Sequence, residues 1–215
     1  AFINEIANLS ENVSANYEDI KKIVTSDARI DSHFMNAGPG FGGSCFPKDS
    51  ASFARSFEHN NVSGDIIRSI NISNDATINH LVTRIQSILV GKGQNIAILG
   101  LTFKAGTDDV RSSQSTIIIN KLLALGYNIK AYDPEAQKDQ VMNMVKGDIT
   151  ITEKAEDVFH NSNLCIILTE WPEFKNYDYR ALSQLMQSRI IYDTRNILDP
   201  KKLLDSEIIL YKRGQ

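Results

Sequence analysis

The sequence predicts an α/β protein in two parts: a helical central domain over residues 1–91, then a doubly wound, Rossmann-like domain over 92–215. Three observations carry this prediction. Residues 1 to about 90 place their apolar side chains at helical spacing, interrupted mainly by a glycine loop. A turn, "GKGQ" at 91–94, ends that pattern. Beyond it, short runs rich in Ile, Leu and Tyr alternate with helical segments, as in a parallel sheet covered on both faces.

The elements follow in order. Phe2, Ile6, Leu9 and Val13 recur at helical spacing, with no Ser, Thr, Asp or Asn ahead of them to cap the helix. With no initiator methionine either, the chain reads as cut within a helix from a longer parent, which intact mass against the coding sequence would test. "KDSASFARSFEHN", after Pro47, reads as a short helix. Residues 63–90 read as a long one, with Ile67, Ile70, Asn74, Ile78, Leu81, Ile85 and Leu89 on a stripe. At 1.5 Å per residue it is about 40 Å long, long enough for a spine between domains, a subunit interface, or the core helix of a monomer. "NIAILGL", "NIKAYD", "DITIT", "LCIILT", "RIIYD" and "EIILY" read as strands, with helices near 113–126, 136–145, 153–161 and 178–187. In such a domain the ligand sits beyond the carboxyl ends of the strands, where the loops beginning at Gly100, Asp133, Thr169 and Asp193 gather.

Composition narrows the function. The chain has 215 residues, is 42% hydrophobic, and balances 23 basic against 26 acidic residues for a net charge of −3. Both signs are interspersed, which argues against nucleic acid or a membrane surface as partner. No apolar run approaches the roughly 18 residues that span a bilayer, and a cytoplasmic protein is expected. Cys45 and Cys165 lie in different contexts, a glycine loop and an apolar strand, so no disulfide is expected between them. No metal-ligating cluster is read.

The chemistry concentrates in "AGPGFGGSCFPKDS", residues 37–50. Gly38, Gly40, Gly42 and Gly43 form a loop able to bring main-chain N–H groups against a sugar or phosphate, or simply to turn the chain. Pro47 and Asp49 mark a first helical turn, which puts Cys45 at a helix N-terminus. With Lys48 close by, that position favours the thiolate, the reactive form, and Cys45 reads as a nucleophile. Cys165 reads as structural. In "ILGLTFKAGTDDVRSS", Lys104 and Arg111 follow the first strand and suit a diphosphate, although Gly100 and Gly106 do not have the G-x-G-x-x-G spacing. Asp133 in "YDPEA" fits either ribose hydroxyls or a turn.

Taken in order, "FINEIANL", "GPGFGGSCFPKD", "GLTFKAGTDDVRSS", "YDP" and "TEW" resemble the UDP-glucose/GDP-mannose dehydrogenase family, most closely its bacterial UDP-glucose 6-dehydrogenase branch, over essentially the whole chain. The resemblance implies an NAD-dependent oxidation of a sugar C6 alcohol to a carboxylate in two hydride transfers, through a thiohemiacetal and a thioester on Cys45. Asp49 matches the carboxylate that handles water, and Lys48 and Arg111 match contacts to NAD. Phe34, Met35, Asn36, Ala37, Gly38, Phe41 and Gly42 match the substrate loop. Lys104 and Arg195 match further substrate contacts, and Arg29 matches an arginine that reaches a neighbouring subunit's site, which implies a homodimer through the central helices. The family's NAD-binding domain, with its G-x-G-x-x-G, and a catalytic lysine and asparagine ahead of "FINE" have no counterpart in these residues, so the chain alone is expected not to turn over. A non-catalytic UDP-sugar-binding or dimerisation module, and a dehydrogenase of another nucleotide sugar, stand beside that reading.

Overall fold

The computed structural model describes residues 1–91, 93–204 and 206–215. Lys92, in the predicted turn and at the predicted domain boundary, lies outside the described residues, as does Asp205.

The first part is helical, with α1 (Phe2–Asn12), α2 (Tyr17–Val24), α3 (Phe46–His59) and α4 (Asp65–Ile88). The Asn16 side chain caps α2 by accepting from Glu18 N at 2.9 Å. Cys45 is the N-cap residue of α3 and Pro47 lies in that helix's first turn, the arrangement the sequence predicts. Phe2 and Leu9 of α1, and Val13 after it, face outward, and the helix buries Ile3, Asn4, Ala7 and Ser10. Those small and amide side chains leave room for Tyr17 and Arg213, both fully buried, against α1.

The second part comprises β1 (Asn95–Leu99), α5 (Gln114–Ala124), β2 (Asn128–Tyr132), α6 (Lys138–Met144), β3 (Thr150–Ile151), α7 (Ala155–Phe159), β4 (Leu164–Ile167), α8 (Tyr179–Ser183), β5 (Ile190–Asp193) and β6 (Ile209–Lys212). All pairings are parallel, in the order β3-β2-β1-β4-β5-β6, which is the doubly wound arrangement with its switch point between β1 and β4. Strand residues alternate between two cores. Ile96, Ile98, Leu164, Ile166 and Tyr192 face one, with α5, while Ala97, Leu99, Cys165, Ile167 and Ile191 face the other, with α7, Trp171 and Phe174. Helix α8 is shorter than predicted because the backbone beyond it turns to pair with the 161–162 segment: Asn161 N donates to Leu185 O at 3.0 Å and Gln187 N to Ser162 O at 2.8 Å.

The long helix joins the two parts. Ile78, Leu81, Val82, Ile85 and the following Leu89 pack into the first of those cores, while the N-terminal half of α4 packs against α3. In packing terms the two halves therefore meet inside α4, upstream of the 91–94 turn.

Candidate active site

The glycine loop is wedged between α4 and the α/β part. Asn74 of α4 holds Phe41 as a neighbouring strand would: its Oδ1 accepts from Phe41 N at 2.9 Å and its Nδ2 donates to Phe41 O at 3.1 Å. Gln114 at the start of α5 donates to the same carbonyl. A Cβ on Gly40, at φ +120°, would lie 2.6 Å from Asn74 Oδ1, and one on Gly42 would lie 2.3 Å from the Ser112 carbonyl oxygen. The need for glycine here is close approach between chain segments. Gly43 packs on the Phe103 ring and Gly38 on the Arg195 guanidinium. Immediately after this wedge comes Cys45, exposed and without a disulfide partner, at the N-terminus of α3.

The crevice at the switch point of the sheet is closed. Asp133 Oδ2 accepts from Leu101 N at 2.6 Å, Thr102 N at 3.0 Å and Trp171 Nε1 at 3.1 Å, and its Oδ1 accepts from Glu135 N at 3.0 Å and Ala136 N at 2.9 Å. With both oxygens engaged, this carboxylate has no capacity left for a ribose; of its two sequence readings, turn chemistry is the one realised. Thr169 fills the remaining gap: it donates to Thr102 O at 2.7 Å, and a Cβ on Gly100 would come within 2.6 Å of its backbone nitrogen.

An open cleft lies instead to one side, between the helical part and the ends of β4 and β5. It has a volume of about 330 Å³ and is lined by Asn36, Ala37, Glu170, Lys175, Arg195 and Asn196, within the usual range of small-molecule sites. Arg195 Nε donates to Leu168 O at 2.8 Å and lies 3.1 Å from Glu170 Oε2, which fixes the side chain and leaves the terminal nitrogens toward Gly38. Burial lowers the pKa of Arg195, opposed by the charges of Glu170 and Asp193. Two cations and one carboxylate in a half-buried cleft suit an anionic ligand.

Of the residues that the resemblance implies, the structure brings Asn36, Ala37, Gly38 and Arg195 together at this cleft. Met35 is tied to the same wall, its carbonyl accepting from the Tyr17 hydroxyl, whose pKa burial pushes up to about 12. Phe41 and Gly42 sit in the wedge, and the Phe41 ring meets Phe46 edge-on at 4.8 Å. Lys104 is exposed, its ammonium 5.4 Å from the Phe103 ring centroid. Around the thiol, Lys48 Nζ lies 3.4 Å from Asp49 Oδ1. Arg111 clamps Asp109 through two bonds of 3.0 and 2.9 Å. Its pKa is raised, first by that hydrogen bonding and then by the Asp109 charge. Phe34 is not brought in and is 84% exposed, while Arg29, expected at a neighbouring subunit's site, pairs with its neighbour Asp27 at the surface. Cys165 is buried, and burial, then the nearby Asp193 charge, pushes its thiol pKa far up, in keeping with a structural role.

Sequence reasoning passed over Asn4, Gln114, Lys175 and Asn196. The Asn4 side chain accepts from Gly38 N at 2.9 Å, and nothing local in the polar-rich α1 sequence distinguishes it. Asn74, by contrast, is an amide on the buried stripe of α4. Nothing local marks Lys175 or Asn196.

Two family models match the chain: the central domain of the UDP-glucose/GDP-mannose dehydrogenase family over residues 1–76, and that family's UDP binding domain over residues 97–200. A UDP-glucose 6-dehydrogenase of Rickettsia conorii is 42% identical over 201 residues, covering 93% of this chain and 46% of the relative. UDP-glucose 6-dehydrogenase YwqF of Bacillus subtilis is 35% identical over 219 residues, covering 100% of this chain and 49% of the relative. Among solved structures, a UDP-glucose dehydrogenase from Pyrobaculum islandicum superposes with a TM-score of 0.85 at 28% identity, covering 99% of this chain and 46% of that one. The chain thus spans about half the length of the curated relatives it matches. Both domain models, in order, and relatives above 30% identity across nearly all of these residues make the chain a member of the UDP-glucose/GDP-mannose dehydrogenase family.

Proposed function

We propose that these residues form the central and UDP-binding parts of an NAD-dependent UDP-glucose 6-dehydrogenase, and that the cleft beside Arg195 receives the UDP-sugar. The observation that carries the reading is that one loop, residues 36–45, lines the cleft at one end and presents an exposed thiol on a helix N-terminus at the other. Lys175 and Arg195 supply positive charge for the diphosphate, with Lys104 in reserve on the neighbouring loop. Cys45 adds through its sulfur to the C6 aldehyde carbon, forming a thiohemiacetal that keeps the intermediate from leaving. Once C6 is at the acyl level, water attacks the thioester carbon, Asp49 takes the water proton, and the thiolate departs.

Hydride acceptance from C6 in both oxidations is the chemistry that NAD would supply if bound. Among the described residues, Lys48 and Arg111 are the exposed cations proposed to contact it. The acidic residue at the end of β2 is fully engaged, so the cofactor's main platform belongs to the part of the relatives' length that this chain does not span. These residues alone are accordingly proposed not to turn over. A homodimer through the helical part is proposed as well, supported by the outward apolar residues of α1 and by Ile66 and Ile72 of α4. No helix among the described residues is long and apolar enough to cross a membrane, and an exposed free thiol fits the reducing cytoplasm.

The test uses the full-length parent with NAD and a panel of UDP- and GDP-sugars, reading NADH formed per sugar. Two NADH per UDP-glucose, abolished by Cys45→Ala, is the expected result. One NADH per sugar, or turnover that survives Cys45→Ala, would remove the covalent mechanism.

A further inference from the structure

Beyond β6 the chain turns back into the helical part and buries Arg213 completely. Its Nη1 donates to Glu11 Oε1 at 2.6 Å, and its Nη2 reaches the Asn8 side chain and, at 3.4 Å, the Asn4 carbonyl. Glu11 is also held by Gly214 N at 2.9 Å and by His80 Nε2 at 2.6 Å. Burial by itself would raise the pKa of this carboxyl; the His80 hydrogen bond and the Arg213 charge outweigh that and keep it below the ordinary value. A buried ion pair gives little stability that apolar side chains of the same volume would not give. What it does provide is fixed geometry.

That geometry reaches both walls of the cleft. Asn4, whose backbone carbonyl the Arg213 guanidinium reaches at 3.4 Å, accepts from Gly38 N through its side chain at 2.9 Å. On the other wall Asn196 pairs with the Arg213 backbone in both directions at 2.9 Å, and it directly follows Arg195, which packs on Gly38. The contacts close a ring: Arg213, Asn4, Gly38, Arg195, Asn196 and back to Arg213.

We propose that Arg213 is a positioning residue for the cleft: its side chain holds Gly38 through Asn4, while its backbone ties Asn196, next to Arg195, to the same point, so that the two walls keep one register. As a statement about substrate, the proposal rests on the cleft being the nucleotide-sugar site; as a statement about geometry, it does not. Lysine cannot replace it, because a point charge lacks the fork that meets Glu11, Asn8 and Asn4 together.

The experiment measures amide hydrogen exchange residue by residue, and UDP affinity by calorimetry, for the chain and for Arg213→Lys. Exchange at Gly38 should rise about tenfold or more, the scale of one lost buried hydrogen bond, with the amides of β1 and β4 unchanged and UDP affinity down by about tenfold. If Arg213→Lys does not fold, Glu11→Gln with Arg213→Met, which leaves no unpaired buried charge, takes its place with the same expectation. Unchanged exchange at Gly38, a uniform rise across the chain, or loss of the fold in both variants overturns the proposal. Failure of the unaltered chain to bind UDP overturns the assignment of the cleft instead, and leaves the exchange result to decide the role of Arg213.

Discussion

Replacing Gly42 with alanine tests the wedge that carries Cys45. No positive φ is needed at this position, so the backbone accepts alanine, and the whole effect comes from the new methyl group. It would lie 2.3 Å from the Ser112 carbonyl oxygen, where ordinary contact begins at 3.4 Å, so 3.4 minus 2.3, or 1.1 Å, must open. Ser112 cannot recede easily. It sits at φ +50° and leads directly into Ser113, whose hydroxyl is fixed on Leu101 O at 2.7 Å. The glycine loop must move instead, pulling Phe41 away from Asn74 and Gln114. Overpacking of this kind costs about 1–3 kcal/mol, equivalent for a chain of this size to a fall in Tm of about 2–12 °C. In a full-length protein with the proposed activity, a displacement of about 1 Å at the proposed nucleophile, Cys45, should cost about 100-fold in kcat/KM. Thermal denaturation followed by circular dichroism reads the stability, with Gly147→Ala as control, since a methyl there meets only the flexible end of Leu123 at 3.3 Å. A Gly42→Ala protein that melts with the unaltered chain would refute the wedge.

The remaining predictions concern the two thiols, the closed crevice and acid stability. Under native conditions a disulfide reagent such as DTNB should titrate one thiol per chain, lost in Cys45→Ser, with Cys165 reacting only after unfolding; two fast thiols would contradict the burial of Cys165. Asp133→Asn should lower stability in urea by about 2–4 kcal/mol, because an amide leaves N–H donors facing an NH2 group; full stability with lost nucleotide binding would mean that the carboxylate serves a ligand. The depressed folded pKa of Glu11 contributes stability that is present above its ordinary value of 4.5 and is lost as pH falls through the folded value. Asp193, whose pKa burial raises, acts with the opposite sign, its cost growing as pH rises through its ordinary range. Urea melts across the acid range should therefore show a decline below about pH 4.5 that is shallower in Glu11→Gln; an identical decline would remove Glu11 as its source.

The fold was readable wherever burial writes a local pattern. β1 and β4, covered on both faces, appear as continuous apolar runs, and Cys45 with Pro47 marks the start of α3 without any tertiary information. The buried face of α1 was not legible, because Phe2, Leu9 and the following Val13 point outward while Ile3, Asn4, Ala7 and Ser10 are buried. Periodicity locates a helix but does not say which stripe finds a partner within the chain. The loop of the candidate site was legible through its glycines and thiol, although the reason for those glycines was not: Gly42 answers to Ser112, 70 positions away. The turn at Asp133, made with Glu135 and Ala136, was legible, but its bonds to Leu101, Thr102 and Trp171 and all the partners of Arg213 were not, because those groups come from distant segments. Arg213 in particular meets Asn4, Asn8 and Glu11 across nearly the full length of the chain.

The central claim is that the ligand enters beside Arg195 and not at the sheet's switch point. Titration of UDP into the labelled chain, followed by two-dimensional amide NMR, tests it most directly. Saturable shifts concentrated at Asn36, Ala37, Gly38, Arg195 and Asn196, with Gly100 and Asp133 still, are the predicted result. Shifts centred on Gly100, Thr102 and Asp133, or no saturable change at all, would contradict it.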